Sequence, residues 1–252
     1  MIGILIAAGL GTRLAPLTDD RPKCLLPVGS KTMLEHQIEA FRSCGIEDIV
    51  VINGYCADLF PELLPELGVT YVTNPRFRQN NILNSLMCSE HLMENGFLAS
   101  YSDLVYEPRM VAELLDAPGE IVISVDNKWR QRYAHLEFHP PEAVEKVDCD
   151  DLGRVRNIGK AIANDSLGEF VGLLRCSAAE VPGFRRAFAA AKEQYWGGPF
   201  VRAANFEQAY LTDFLQYLVD AGTTIHTHPV GDTVWVEVDT EEDLREAERV
   251  FG

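Results

Sequence analysis

Met1-Ile2-Gly3-Ile4-Leu5-Ile6-Ala7-Ala8 runs directly into Gly9-Leu10-Gly11-Thr12-Arg13-Leu14, and Pro22-Lys23 follows shortly after. The first eight residues are a short apolar run of the kind that fills a buried parallel strand. Gly9 and Gly11 open a turn in which backbone N–H groups can come close to an anion, and Arg13 and Lys23 add positive charge beside it. Strand, glycine turn and two cations together suit a polyphosphate. Two commoner phosphate loops do not fit. A loop ending in Gly-Lys-Ser/Thr is excluded because Thr12 and Arg13 follow Gly11, and a dinucleotide fingerprint needs glycine where Leu14 stands.

Strand and helix patterns alternate through the first half. Leu34, Ile38 and Phe41 recur at helical spacing and Gly45 closes that helix; Ile49 to Ile52 reads as a strand. Phe60, Leu63, Leu64 and Leu67 mark a short helix, Val69 to Val72 a strand, Asn80 to Met93 a helix, and Phe97 to Tyr101 and Ile121 to Val125 two further strands. The expected fold is α/β, a doubly wound, mostly parallel (Rossmann-like) sheet whose ligands lie beyond the carboxyl ends of the strands. After Asp126 the pattern changes. Residues 133–176 read as an inserted β-hairpin region, with a turn at Asp151-Leu152-Gly153 and strands at Arg154 to Ala163 and Glu169 to Arg175. Helices are expected at 182–192 and 206–220, strands at 224–228 and 233–238, and a last helix from Thr240, where Thr240-Glu241-Glu242-Asp243 has the form of a capping box. With no linker in sight, residues 1–252 read as one domain, with a first half to about residue 125 that carries the glycine turn and a second half from about 126.

The chain of 252 residues carries 38 acidic against 22 basic side chains, a formal net charge of −16. That balance argues against nucleic acid or an anionic membrane as partner. It also means that a bound polyphosphate needs locally gathered cations, which gives weight to Arg13, Lys23 and Lys160. Six cysteines show no paired or metal-ligand spacing, no apolar run reaches membrane length, and Met1 opens directly on the first strand; a reducing cytoplasm is the expected setting. His226 and His228 share a strand face but lack a third ligand, so core or surface histidines are the plainer reading.

The longer string Ala7-Ala8-Gly9-Leu10-Gly11-Thr12-Arg13-Leu14, followed by Arg21-Pro22-Lys23-Cys24-Leu25-Leu26-Pro27-Val28, closely resembles the signature of nucleotidyltransferases. These enzymes join an NTP to a phosphate-bearing metabolite and release pyrophosphate. The resemblance is strong over residues 1–30, good at 80–106 and 233–244, and moderate at 125–175. Asn80-Asn81-Ile82-Leu83-Asn84-Ser85-Leu86 looks like the cytidylyltransferases for phosphocholine, 2-aminoethylphosphonate or phosphoglutamine, which implies CTP as donor. The plainer reading of Asn80 or Asn81 is a helix N-cap.

Asp103 follows the strand at 97–101, on the edge where ligands bind, and the resemblance places a Mg²⁺ ligand there. A second carboxylate comes from Trp235-Val236-Glu237-Val238-Asp239, where the family pattern allows either Glu237 or Asp239; alternation puts both on one strand face. The resemblance implies nucleotide contacts from Ala7, Ala8, Gly9, Gly11, Thr12, Arg13, Lys23, Asn80, Asn81, Ser85 and Asp103. Arg13, Lys23 and Lys160 are the expected catalytic cations. Lys160, in Ile158-Gly159-Lys160, would meet the phosphate or phosphonate of the acceptor; by itself a lysine is more often a solvated surface residue. Asp126, Trp129, Tyr133, Glu169, Tyr210 and Asp213 complete the expected acceptor site, with Trp129 and Tyr133 placed to wall a cationic head group. Two alternatives stay open: a sugar-1-phosphate nucleotidylyltransferase using another NTP, and a nucleotide-binding regulatory homologue without activity. The acceptor's identity and the oligomeric state are not legible.

Overall fold

The structure, a computed structural model, describes residues 1–65, 67–133, 143–160, 162 and 168–252. The strands in chain order are β1 (Ile2–Ile6), β2 (Pro27–Val28), β3 (Lys31–Thr32), β4 (Ile49–Asn53), β5 (Thr70–Thr73), β6 (Phe97–Tyr101), β7 (Leu104–Tyr106), β8 (Ile121–Asp126), β9 (Lys146–Cys149), β10 (Val155–Gly159), β11 (Gly168–Cys176), β12 (His226–Pro229) and β13 (Trp235–Glu237). The helices are α1 (Met33–Ser43), α2 (Leu59–Leu63), α3 (Ile82–Leu86), α4 (Pro108–Asp116), α5 (Trp129–Tyr133), α6 (Val181–Tyr195), α7 (Leu211–Asp220) and α8 (Glu241–Phe251).

The main sheet runs β5-β4-β1-β6-β11-β8-β12, with the β9–β10 hairpin attached to the start of β11. β5, β4, β1 and β6 are parallel, and β12 is parallel to β8. β11 alone among these seven strands runs the other way, antiparallel to both β6 and β8. Its reversal has a consequence for the site. The carboxyl ends of β1, β6 and β8 and the amino end of β11 lie on one edge, so Tyr101, Asp126 and Glu169 are delivered to the same side. The sheet is therefore doubly wound and mostly parallel, as the alternation of patterns implies. The hairpin region is not a separate appendage, because its last strand is built into the middle of the sheet.

Two apolar layers sandwich the sheet. Leu83, Leu86, Phe184, Phe188, Phe214 and Leu215 from α3, α6 and α7 cover one face, and Leu34, Ile38, Phe41, Met110 and Leu114 from α1 and α4 cover the other. These helices hold their apolar residues at three- and four-residue spacing, which turns one stripe to the sheet. A smaller cluster of Leu14, Leu26, Val28, Met33, Val105, Val238 and Ala247 ties the first loop to the last helix. The six cysteines are unpaired, and no described helix is long and apolar enough to cross a membrane.

Several boundaries differ from the sequence reading. β2, β3, β7, α4 and α5 have no counterpart in it. The expected helix at 80–93 is α3 followed by a 3₁₀ turn over Met87–Leu92, and the one at 206–220 is a 3₁₀ turn, Phe206–Gln208, a break, and α7. The helix at Phe60 ends at Leu63 rather than reaching Leu67. The strand from Arg154 stops at Gly159, whose φ of 140° no side-chain-bearing residue adopts readily, and residues 161 and 163 lie outside the described residues. Of the hairpin span, 134–142 and 163–167 also lie outside them.

Candidate active site

β1 ends at Ile6, and the chain leaves the sheet edge through Ala7 and Ala8 into the glycine turn. Gly11 adopts φ 63°, and a Cβ there would lie 2.9 Å from the Cβ of Lys23. Glycine is thus required twice, by conformation and by the close approach of the second cationic segment. At Gly9 the reason is different: a Cβ would meet nothing within 4 Å, because this glycine faces open cleft. Thr18 Oγ1 donates to the Gly11 carbonyl at 2.8 Å and closes the loop.

Lys23 lies in a 3₁₀ turn behind Pro22. Its Nζ donates to Asp103 Oδ2 at 2.9 Å and to Asp239 Oδ1 at 2.7 Å, while Arg13 Nη1 meets Asp239 Oδ2 at 2.6 Å. The two cations differ in kind: Arg13 is 65% exposed and Lys23 only 14%. Burial alone would lower the Lys23 ammonium, but Asp103 and Asp239 outweigh it and hold its pKa above the ordinary lysine range. For Asp239 burial pulls upward and Lys23 and Arg13 pull harder downward, so its carboxyl titrates below the usual range.

Asp103 and Asp239 come from distant parts of the chain and are locked together by backbone. Val238 N donates to the Asp103 carbonyl at 2.8 Å, and β13 pairs with β7 just beyond. Thr240 N-caps α8 in a reciprocal capping box with Asp243, whose Oδ2 also accepts from Asp239 N at 3.0 Å. The sequence reading of Asp243 as a helix-start charge holds. Asp103, Glu237 and Asp239 form a cluster whose carboxylate oxygens lie within 4.8 Å of one another. Burial and the facing Asp239 and Asp103 push Glu237 well above the ordinary glutamate range. Asp103 Oδ1 is buried with no hydrogen-bond partner. Three oxygen donors, one of them orphaned, suit a hard divalent cation.

These groups line one end of a cleft of about 450 Å³. Ala7, Ala8, Gly9, Gly11, Thr12, Asn80, Asn81 and Ser85 line it too, as do Tyr133, Lys160, Glu169 and Tyr210. Asn81 Oδ1 accepts from Ile82 N at 2.8 Å, so Asn81 is the N-cap of α3. Asn80 and Ser85 are held by a residue absent from the sequence reading, Asn74, whose Nδ2 donates to Asn80 Oδ1 at 2.8 Å and to Ser85 Oγ at 2.9 Å. At the other end Lys160 Nζ lies 4.3 Å from the centre of the Tyr210 ring. Glu169 Oε1 accepts from Tyr133 Oη at 3.3 Å. Burial is the main reason that its carboxyl is pushed up to about 8.

Three expected acceptor residues are not brought to the cleft. Asp126 is 1% exposed and is saturated by Lys128 N and Arg132 Nε, both at 2.7 Å, and by Trp235 Nε1 at 3.3 Å. Trp129 is buried in the α1–α4 layer, with the Arg130 guanidinium 4.6 Å from its ring centre. Asp213 is consumed in helix capping, accepting from Tyr210 N at 2.9 Å. Conversely, Glu145, Tyr101 and Phe77 line the cleft although the sequence reading gave them no role. Tyr101 ends the strand that leads to Asp103, and an aromatic residue at a strand's carboxyl end was a usable signal. Glu145 had none, since it becomes visible only when Tyr101 Oη and Thr212 Oγ1, each at 3.0 Å, converge on it.

A glycine turn with two cations, facing three carboxylates across one edge of a mostly parallel sheet, can grip a nucleoside triphosphate and its metal. Residues 3–196 match the model of the MobA-like NTP transferase domain. The chain belongs to this family. It is a nucleotidyltransferase in architecture and motif. It is 30% identical over 253 residues to a CTP:phosphoglutamine cytidylyltransferase of Campylobacter jejuni, covering 97% of this chain and 98% of that one. A choline-phosphate cytidylyltransferase of Streptococcus pneumoniae is 36% identical over 107 residues, 42% of this chain and 47% of that one. Among solved structures, the inositol-1-phosphate CTP transferase from T. maritima superposes with a TM-score of 0.75 at 22% identity, over 99% of this chain and 96% of that one. Sugar-1-phosphate transferases are also among the relatives of the nucleotidyltransferase.

Proposed function

We propose that this nucleotidyltransferase transfers CMP from CTP to a small acceptor bearing a phosphate or phosphonate and releases pyrophosphate. The observation that carries the reading is the division of one cleft. Arg13 and Lys23 flank the glycine turn at one end, and Lys160 stands with Glu145 and Glu169 at the other. About 450 Å³ suits a nucleotide and a small acceptor held side by side. The cytidylyltransferase relatives that match the chain support CTP as the donor.

In this reading an acceptor oxygen attacks the α-phosphorus in line, with no covalent protein intermediate, so the side chains act by positioning and charge neutralisation. Arg13 and Lys23 share their pairing with Asp239 between that carboxylate and the β- and γ-phosphates, and they stabilise the charge that develops on pyrophosphate. Backbone N–H groups at Gly9 to Thr12 cradle the phosphates, Asn80, Asn81 and Ser85 face the base and ribose, and Lys160 aligns the acceptor's anionic group. Asp103, Glu237 and Asp239 would hold Mg²⁺, which fits their oxygen donor set and the orphaned Asp103 Oδ1. When bound, the ion supplies charge neutralisation at the transferring phosphate.

The test is pyrophosphate release with Mg²⁺ across four NTPs and a panel of phosphocholine, 2-aminoethylphosphonate, phosphoglutamine and sugar 1-phosphates. Turnover confined to CTP and one small non-sugar acceptor supports the proposal. Turnover only with a sugar 1-phosphate moves the chain to the sugar-nucleotide branch, and binding of CTP without turnover favours an inactive regulatory homologue.

A further inference from the structure

The acceptor end of the cleft holds two groups whose bonding is incomplete. The Lys160 ammonium rests over Tyr210 and makes no hydrogen bond or ion pair among the described residues. Glu169 is 4% exposed; Tyr133 Oη satisfies Oε1, while Oε2 is buried with no partner. Glu145 beside it differs, since each of its oxygens already has a hydroxyl donor, Thr212 on Oε1 and Tyr101 on Oε2. The orphaned oxygen is therefore a specific feature of Glu169 and not a general property of an acidic patch.

The fold places that oxygen deliberately. Glu169 lies at the amino end of the reversed strand β11, paired with Asp126 on one side and Lys146 on the other. Two residues further on the register slips, and Gly172 turns to φ 82°. A Cβ there would lie 2.9 Å from the Tyr101 ring, so glycine makes room for the tyrosine that ties down Glu145. Tyr101, Tyr133, Phe170 and Tyr210 wall this end of the cleft.

Such walls accept any organic cation, but a buried carboxylate oxygen with no donor asks for a hydrogen. A primary ammonium offers three N–H groups, whereas a trimethylammonium offers none. A neutral hydroxyl also carries a hydrogen, but only a cation can take the place of the proton that burial holds on Glu169 in the free protein, and it leaves the ionised carboxylate paired. Resting on the cytidylyltransferase reading, we propose that the acceptor ends in an N–H-bearing ammonium that donates to Glu169 Oε2, with its phosphate or phosphonate toward Lys160.

The experiment uses the full chain with CTP and Mg²⁺ and compares three acceptors that differ at one end: phosphoethanolamine, its trimethyl counterpart phosphocholine, and 2-hydroxyethyl phosphate. The expected result is kcat/KM for phosphoethanolamine about tenfold to a hundredfold above both others, the size of discrimination that a buried unpaired group imposes. In Glu169→Gln the preference over phosphocholine should shrink to within about threefold while KM for CTP stays unchanged, because an amide oxygen loses the charge that favours the ammonium. Equal or better turnover of phosphocholine, or preference for the hydroxyethyl compound, overturns the ammonium assignment and leaves the cytidylyltransferase reading standing. Absence of CTP-dependent pyrophosphate release with every acceptor, these and those of the wider panel, overturns both.

Discussion

Lys23 and Asp239 are 216 residues apart in the chain and 2.7 Å apart in the fold, and the same ammonium reaches Asp103 at 2.9 Å. One cation thus ties the first loop to the two segments that close the site. Removing it leaves three carboxylates facing Arg13 alone. Lys23→Ala should lower kcat/KM about a hundredfold or more, the usual cost of a cation whose contact strengthens in the transition state. Pyrophosphate release measures it, and near-normal turnover would count against the proposed role.

The two glycines of the first turn should respond differently to alanine. Gly11→Ala forces a left-handed backbone and drives a Cβ into Lys23, so it should cost about 1–2 kcal/mol of stability and impair nucleotide binding. Gly9→Ala meets nothing in the protein and should unfold at the wild-type temperature. If phosphates pack on this backbone, the same methyl raises KM for CTP severalfold. Thermal unfolding together with KM separates the two effects, and unchanged binding in Gly9→Ala would place the phosphates elsewhere.

The metal cluster makes a prediction of direct binding. Asp103→Asn and Glu237→Gln should each weaken Mn²⁺ binding, followed by electron paramagnetic resonance, by about tenfold or more. Chelation by EDTA should abolish turnover, and added Mg²⁺ should restore it. A variant that loses activity with unchanged Mn²⁺ affinity would not be a ligand.

Much of this site was legible because its parts obey local rules. Gly11 and Lys23 sit in one contiguous signature, and Asp103 follows a strand whose apolar run fixes where the sheet edge lies. Thr240 and Asp243 declare a helix start by spacing alone. The expected acceptor residues that stand away from the cleft are held by contacts that the sequence pattern does not carry. Asp126 has the right strand-end position, yet Arg132 and Trp235 consume it from the far side. Asp213 is taken by its own helix, and Trp129 by the core. The reversal of β11 is equally nonlocal, since strand direction is set by pairing with β6 and β8 and leaves no mark on the apolar pattern.

Arg202 should affect the acceptor alone. Its Nη1 donates to the Ile158 carbonyl at 2.7 Å and its Nη2 bonds Asn157 Oδ1, so the guanidinium braces the Gly159 bend from which Lys160 springs. It stands in a tight turn between Phe200 and Ala203, in which Val201 is held at φ 52°, a costly conformation for a β-branched residue. Arg202→Ala should raise KM for the acceptor severalfold with KM for CTP unchanged. Val201→Gly should be stabilising by roughly 1 kcal/mol and keep the acceptor KM. A parallel rise in both Michaelis constants for Arg202→Ala would indicate general loosening rather than positioning of Lys160.

Glu169 should leave a signature in the pH dependence of stability. Burial is the largest cause that pushes its carboxyl from 4.5 to about 8; Asp126 and Glu145 add to the rise, and Tyr133 and Arg132 oppose it. Without an acceptor bound, the folded protein therefore holds a proton there that the unfolded chain has released above pH 4.5. Where the native state binds more protons, stability falls as pH rises. The contribution of Glu169 is thus unimpaired below pH 4.5, is lost progressively up to about pH 8, and is constant beyond. Glu145, also raised by burial, tilts the curve the same way, so the informative quantity is the difference between wild type and Glu169→Gln. That difference should grow in favour of the glutamine variant between pH 5 and 8 in urea unfolding. A difference that stays flat across this range would mean that Glu169 is ionised in the folded protein throughout.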